Sequence, residues 1–372
     1  MRQIAVLSVA LVLSLGWTYT TWFDTSEEPS DEVAVVYDAK ESELTKISWD
    51  SKDLKVSVER RTDDRGEYLW IESSETKLVH PKKTDPAHPG AEEHAEEKAA
   101  EEKAPDADPA DPAAAPAEGA PAEAPAAEGP PEVKVSKFMA SAQGKELWTS
   151  FAPLKALREL DTTGADPATF GFGPDDEKVT VTVVRASGPL ELQIGGETYG
   201  NKDRYVRVGD KTYLVDDASL RPLQFAATRL IERSLFPLEE SAIEGVDVML
   251  PAGATVSYVQ QNKDDKTKAF WAKSDVTDKE DETGSTWLGK VFKLKLKDYV
   301  DESTVATPLE SVLSYVVRGG KGEQWKVELL KTTTGDKTEW YARTAYNRSL
   351  VSLTESLARN VVDDVESLTA AP

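Results

Sequence analysis

A stretch that cannot build a core divides everything in this sequence that can. From Ala91 to Val133 there are 16 Ala, 8 Pro, 13 acidic and 2 basic residues, and no aliphatic or aromatic side chain larger than Ala before Val133. The tract's net charge of −11 is close to half of the −23 carried by the whole chain. Such a segment buries too little apolar surface to offset its conformational entropy, so the sequence predicts a solvated, disordered insert over residues 81–132. The prolines from Pro105 to Pro131 exclude a sustained helix there, because each removes a donor and clashes with the preceding turn. The Glu-rich start, from Ala91 to Lys103, is compatible with transient helix.

A second segment sets the expected compartment. Ile4 to Phe23 contains only uncharged side chains, follows Arg2 and precedes the acidic flank Asp24, Glu27, Glu28, Asp31 and Glu32. At about 1.5 Å per residue it is roughly the thickness of a bilayer core. Trp17, Tyr19, Trp22 and Phe23 gather at its far end, where aromatic rings favour the interface. We read residues 1–23 as a transmembrane signal anchor with a cytoplasmic N-terminus, followed by a juxtamembrane segment over 24–43. A cleaved signal peptide is the alternative, and no convincing small-x-small cleavage site follows the apolar run.

The placement of chemically capable residues narrows the function. The three histidines, His80, His88 and His94, all lie in or beside the insert, and there is no cysteine. Serine–histidine and cysteine–histidine nucleophilic sites and Cys/His zinc sites therefore lose their usual members in the foldable segments. The three histidines with Glu92 and Glu93 match no tight metal-site spacing. The excess of acid argues against nucleic acid as a partner, since neutralising phosphates needs a basic face. No cofactor is expected.

The foldable remainder reads as α+β: repeated small antiparallel β-meander units with intervening helices. A first strand unit occupies 44–80, with Ile47 and Trp49, then Leu54, Val56 and Val58, then Tyr68 to Ile71. Residues 133–240 complete that unit and add a second, with Val179, Val181 and Val183, then Leu190 to Ile194, then Tyr205 to Val208, then Tyr213 to Val215. Third and fourth units fill 241–372, around Val246, Tyr258 and Trp271, and around Val316, Trp325 and Trp340. Alternation of this kind buries one face of each strand. Apolar spacing predicts helices around Ser150 to Leu160, near Leu220 to Phe236, and through Leu350, Leu353, Leu357, Val361, Val362 and Val365.

Several local motifs resemble sites and have plainer readings. Arg318-Gly319-Gly320-Lys321-Gly322 lacks the spacing and the Lys-Ser/Thr pair of a phosphate loop and reads as a hairpin turn. Ser74 and Lys77 have the spacing of serine–lysine acyl-transfer enzymes without any companion motif. The acidic pairs Asp63/Asp64, Asp175/Asp176, Asp216/Asp217, Asp264/Asp265 and Asp363/Asp364 read as solvated turn carboxylates. Trp70, Trp271, Trp325 and Trp340 fall at strand positions and are expected to pack rather than to form a binding face.

Three segments, LWTSFAPLKALREL (Leu147 to Leu160), FGFGPDDEKVTVTV (Phe170 to Val183) and RYVRVGDKTYLVDD (Arg204 to Asp217), carry a resemblance to the bacterial domain of unknown function 4340 family. The resemblance implies a single-pass protein of the bacterial inner membrane with its bulk in the periplasm, associated with ABC transporters of the gliding-motility type or with other envelope proteins. It supplies no catalytic, cofactor or metal residues, and none is assigned. The sequence thus leads us to expect a non-enzymatic membrane-anchored scaffold or interaction protein. A module that binds peptidoglycan or another carbohydrate polymer, and a carboxylate-based hydrolase, are its rivals.

Overall fold

The computed structural model describes residues 34–77, 131–200, 202–250, 253–305 and 308–369. The expected anchor, most of the expected insert and all three histidines lie outside them. Among the described residues no helix is long and apolar enough to cross a membrane. The described residues are β-rich, with antiparallel sheets and few helices.

In chain order the first part contains β1 (Ala34–Tyr37), β2 (Leu44–Asp50), β3 (Leu54–Asp63), β4 (Gly66–Lys77), β5 (Glu132–Met139) and helix α1 (Ala142–Ser150). It continues with β6 (Leu154–Ala156), β7 (Arg158–Leu160), β8 (Val179–Arg185), β9 (Gly188–Glu197), β10 (Asp203–Val208), β11 (Lys211–Asp216) and two single helical turns, α2 (Arg221–Gln224) and α3 (Ala226–Arg229). The second part contains β12 (Ile243–Met249), β13 (Thr255–Gln261), β14 (Phe270–Lys273), α4 (Glu282–Lys293) and β15 (Leu296–Val300). It ends with β16 (Glu310–Gly319), β17 (Gln324–Thr334), β18 (Lys337–Thr344), β19 (Leu350–Leu353) and α5 (Glu355–Asp363). The described residues of 34–75 and 135–369 form one body; of those outside it, 76–77 end β4 and 132–134 begin β5.

Among the described residues, nine strands form a first sheet in the order β5-β4-β3-β2-β8-β9-β10-β11-β7, and eight form a second in the order β14-β13-β12-β16-β17-β18-β19-β15. The two have one plan. Each is centred on an antiparallel pair of leading strands, β2 with β8 and β12 with β16, and both pairs carry a register shift at the start of the earlier strand. In each, a strand after the helix crosses to the far edge of the later strands, β7 (reached through β6, which pairs with β1) beside β11 and β15 beside β19. The repeating object is thus the whole sheet with its helix, and the meanders read from the sequence interlock in pairs within it.

Period-two burial explains the strands. Ile47 and Trp49 on β2, Val56 and Val58 on β3, Val181 and Val183 on β8, and Val246 and Val248 on β12 all face inward, while their neighbours point to the opposite face. α4 starts where the Asp281 side chain accepts the Gly284 N–H at 2.6 Å, and it buries Trp287, Leu288 and Val291. Acid at its start and Lys290 and Lys293 in its last turn suit the helix dipole.

Three expected helices need correction. Residues 151–160 are not helical: α1 lies before them, and the stretch after Pro153 is β6 and β7. Leu154 and Ala156 are buried whereas Leu157 is 55% exposed, which is strand alternation and not a helical stripe. The helix expected over Leu220 to Phe236 shrinks to α2 and α3, and Ile231 instead bridges to Ala140, with the Glu232 N–H donating to the Met139 carbonyl. The C-terminal helix begins at Glu355, because Leu350 to Leu353 pair with β15 and β18 as a strand.

The 344–349 turn ties the second sheet to the first. Arg348 has φ of +60°, an uncommon backbone for a non-glycine residue, and its side chain explains why it is held there. Its guanidinium donates to both Asp63 oxygens at 2.7 and 3.3 Å, and also to the Tyr346 carbonyl at 2.9 Å. It lies 4.1 Å from the centre of the Tyr68 ring. Asn347, fully buried, donates to the Ser234 carbonyl and to the Tyr299 hydroxyl.

Candidate functional site

Two clefts are candidates, and their polar groups are used differently. The first, about 380 Å³, is lined by Lys145, Glu232, Ser234, Lys295 and Tyr346 among others. Most of these groups already serve one another: Tyr346 donates to Glu232 at 3.0 Å and Lys295 to Ser234 at 3.2 Å. Burial, reinforced by the Glu232 carboxylate, pushes the Tyr346 phenol far above its ordinary pKa, so it stays a neutral donor.

The second is a groove of about 390 Å³ between the outward face of β9, β10 and β11 and the loop 161–178 that lies over it. Its floor is the row Gln193, Arg207 and Thr212, in register on those three strands. The loop contributes Pro167, Phe170 and Phe172. Two glycines bring it this close. A side chain on Gly171, which has φ of +75°, would meet the Gly196 nitrogen at 2.3 Å, and one on Gly195 would meet the Phe170 carbonyl at 2.2 Å. Gly195 and Gly196 also stand where β9 and β10 shift register, and the loop backbone settles against them.

The aromatic rings are fixed by this seating. Phe170 meets Tyr205 edge-on, 5.1 Å between centroids. Phe172 lies 4.5 Å beneath the Arg207 guanidinium, within reach of a cation–π attraction. Arg207 gives its Nε and one Nη to the Gln193 Oε1, and no carboxylate pairs with it among the described residues. A guanidinium presents five donors in a planar fork. Here a neutral amide takes the edge formed by Nε and Nη2, and among the described residues Nη1 has no hydrogen-bond partner. Asp210 stands on the rim.

Residues 143–312 match the family model described as Domain of unknown function (DUF4340). The chain resembles the DUF4340 family. No curated protein and no solved structure matches the chain. The DUF4340 segment opens inside α1 and closes inside β16, so it contains the whole Arg207 groove. It also contains α4 and stops before β17.

The motifs singled out from the sequence fall at structural positions. Arg318 to Gly322 connects β16 to β17 through a tight turn at 320–322, with Lys321 at φ of +60°. Ser74 and Lys77 lie three apart on β4, which puts hydroxyl and amine on opposite faces. Asp63 pairs with Arg348, Asp176 accepts the Gly173 N–H, Asp265 accepts from Thr267, and Asp364 pairs with Lys290. Asp217 departs from the solvated reading. It is 2% exposed and sits between the Nε of Arg204, 2.9 Å away, and that of Arg221, 2.6 Å away. Two cations at one buried carboxylate offset its desolvation. Among the described residues no group of three or more His, Cys, Asp or Glu could hold a metal ion.

The sequence reading singled out none of Gln193, Arg207, Phe170 and Phe172 as site residues. Phe170 and Phe172 lie in one of the segments that carried the family resemblance, and Arg207 in another. A tyrosine two residues before an arginine recurs at Tyr205/Arg207, Tyr341/Arg343 and Tyr346/Arg348, so that spacing alone does not pick out the groove.

Proposed function

We propose that this is a non-enzymatic interaction protein of the bacterial envelope, anchored by the apolar run at its N-terminus, with the Arg207 groove as a contact site for a protein partner. An ABC-type transport or motility complex is the assembly it serves. The observation that carries the reading is the groove itself: an aromatic-flanked cation beside which the described residues form no hydrogen-bonded nucleophile–base pair. Carboxylate chemistry gives further support. Among the described residues every carboxylate with a displaced pKa, namely Glu59, Asp63, Asp161, Asp265, Asp301 and Glu339, is displaced downward by hydrogen bonds from its neighbours. A glycosidase-type acid needs the opposite.

The polymer-binding rival would need aromatic rings grouped on one exposed face. Trp49, Trp148, Trp271, Trp287 and Trp340 are instead buried, and Trp70 and Trp325 spend a ring edge or face on Tyr299 and Tyr346. The test is chemical cross-linking in native membranes followed by purification of the full-length protein. The expected product is a carbonate-resistant membrane protein cross-linked to transporter or other envelope subunits. Recovery as a soluble species with a new N-terminus near Asp24, or as an uncross-linked monomer, overturns the reading.

A further inference from the structure

The two sheets contain a matched pair of arginines that differ in what neutralises them. Across the first sheet the row Gln193, Arg207, Thr212, Leu160 runs over β9, β10, β11 and β7. The row at the same place in the second sheet is Glu328, Arg343, Leu350, Val300, over β17, β18, β19 and β15. Both arginines point away from the core, since the residues before them, Val206 and Ala342, are fully buried. A helical turn follows the edge strand in both parts, at 167–170 and at 302–304, and leads into the loop that covers this face.

In the second sheet the arginine is satisfied from within. Arg343 pairs with Glu328 on the neighbouring strand at 3.5 Å and with Glu302 from the covering loop at 2.5 Å. Val300, Val305 and Leu309 pack against Leu330, Tyr341 and Leu350. In the first sheet each of these features is replaced. Gln193 stands where Glu328 stands, and the covering loop presents the Phe172 ring where the other presents Glu302. Thr212 takes the place of Leu350, and the two glycines of β9 lie where Leu330 would fill the face. The first sheet therefore keeps the cation and lacks both anions and the apolar filling.

We propose that the Arg207 groove binds a carboxylate side chain from an acidic, extended segment of a partner protein, which occupies on Arg207 the place that Glu302 and Glu328 occupy on Arg343. This rests on the interaction reading above and names its ligand chemistry. Gln193 holds one edge of the guanidinium and leaves the other for an incoming carboxylate, the geometry in which arginine binds best. Pro167 and Phe170 offer an apolar wall to the residues beside that carboxylate. Asp210 on the rim opposes it.

The test uses a dye-labelled, end-blocked peptide with the sequence of residues 299–305, Tyr-Val-Asp-Glu-Ser-Thr-Val, titrated with the full-length protein in detergent and followed by anisotropy. Saturable binding that weakens with added salt is expected, and the same peptide with Asn and Gln in place of its acids should not bind. Gln193→Glu supplies the internal carboxylate that the second sheet already has, so it should lower affinity at least about tenfold while leaving the melting temperature unchanged or higher. Arg207→Gln should lower affinity as much, and Asp210→Asn should raise it. Wild-type protein that shows no saturation up to millimolar concentration, or variants that bind as wild type does, overturn the proposal. Membrane cross-linking separates it from the broader reading. Partners recovered equally with Gln193→Glu show that the groove is not their site, which defeats this proposal and leaves the interaction reading standing; a wild-type protein that cross-links to nothing defeats that reading, and the peptide titration alone then decides the groove.

Discussion

Trp287 should be among the most expensive side chains in the molecule to remove, and the reasons can be separated. It is 1% exposed, its indole N–H donates to the Val361 carbonyl at 2.9 Å, and its ring meets Tyr315 edge-on with 6.5 Å between centroids. Val361 lies in the last turn of α5, where helix carbonyls lack an intrahelical donor, so the indole both fills the space between α4 and α5 and satisfies an orphan acceptor. Truncating a buried tryptophan to alanine costs about 3–5 kcal/mol, and stranding a buried carbonyl costs about 1–3 kcal/mol. These overlap, because the measured truncation values already include lost partners, and about 4–5 kcal/mol is expected for Trp287→Ala. Trp287→Phe keeps a ring against Tyr315 and loses the donor with part of the volume, for about 2 kcal/mol.

Urea unfolding followed by far-ultraviolet circular dichroism reads both, since the midpoint should fall while the slope is unchanged. Trp325 serves as the internal control. It is only half-buried, and Trp325→Ala should cost about 1–2 kcal/mol, below the fully buried range. The reasoning is wrong if Trp287→Ala costs less than about 2 kcal/mol or if Trp325→Ala costs as much as Trp287→Ala.

Glu59 is held down to about 2 by hydrogen bonds from Arg61 and then Lys46, at 2.8 and 2.9 Å; its stabilising contribution should be complete above its ordinary value of 4.5 and disappear as pH falls toward 2, so melting curves of Glu59→Gln should depend less steeply on pH across that window than wild type. Asp217→Asn leaves Arg204, whose side chain is 12% exposed, with only Glu197, and should cost about 2–3 kcal/mol, less than breaking a wholly buried pair because Arg221 is partly solvated; chemical denaturation checks it, and a change under about 0.5 kcal/mol would show the pair to be idle.

Strands were legible because alternation is a local property: Val179, Val181 and Val183, or Val246 and Val248, announce an inward face without reference to anything distant. Helices were less so. Leu154, Leu157 and Leu160 have helical spacing by coincidence, and what decides their conformation is pairing with remote partners, Leu154 with Tyr37 and Leu160 with Thr212. Asp217 looked like any turn carboxylate because the two arginines that bury it come from a strand before it and a helical turn after it. The groove was hidden for the same reason. Gln193 and Arg207 become neighbours only through the register of β9 and β10, and the meaning of a neutral Gln193 appears only when Glu328 is seen at the matching place.

The crossing of β7 and β15 to the far edges of their sheets carries a consequence for the order in which the chain can fold. A ribosome releases α1 and β7 before β8 to β11 exist, so β7 has no ladder to join until the residues of β11 follow it out. The central pair of the first sheet, with Ile47 against Val183, spans a far longer stretch of chain than Val246 against Val317 in the second. Long-range pairing slows folding. The later-made sheet is therefore the one whose middle closes over the shorter loop, and the earlier-made sheet waits with unpaired edges while the rest is synthesised. Once both crossing strands are in place, each ties the chain between the two sets of hairpins to the far edge of its sheet.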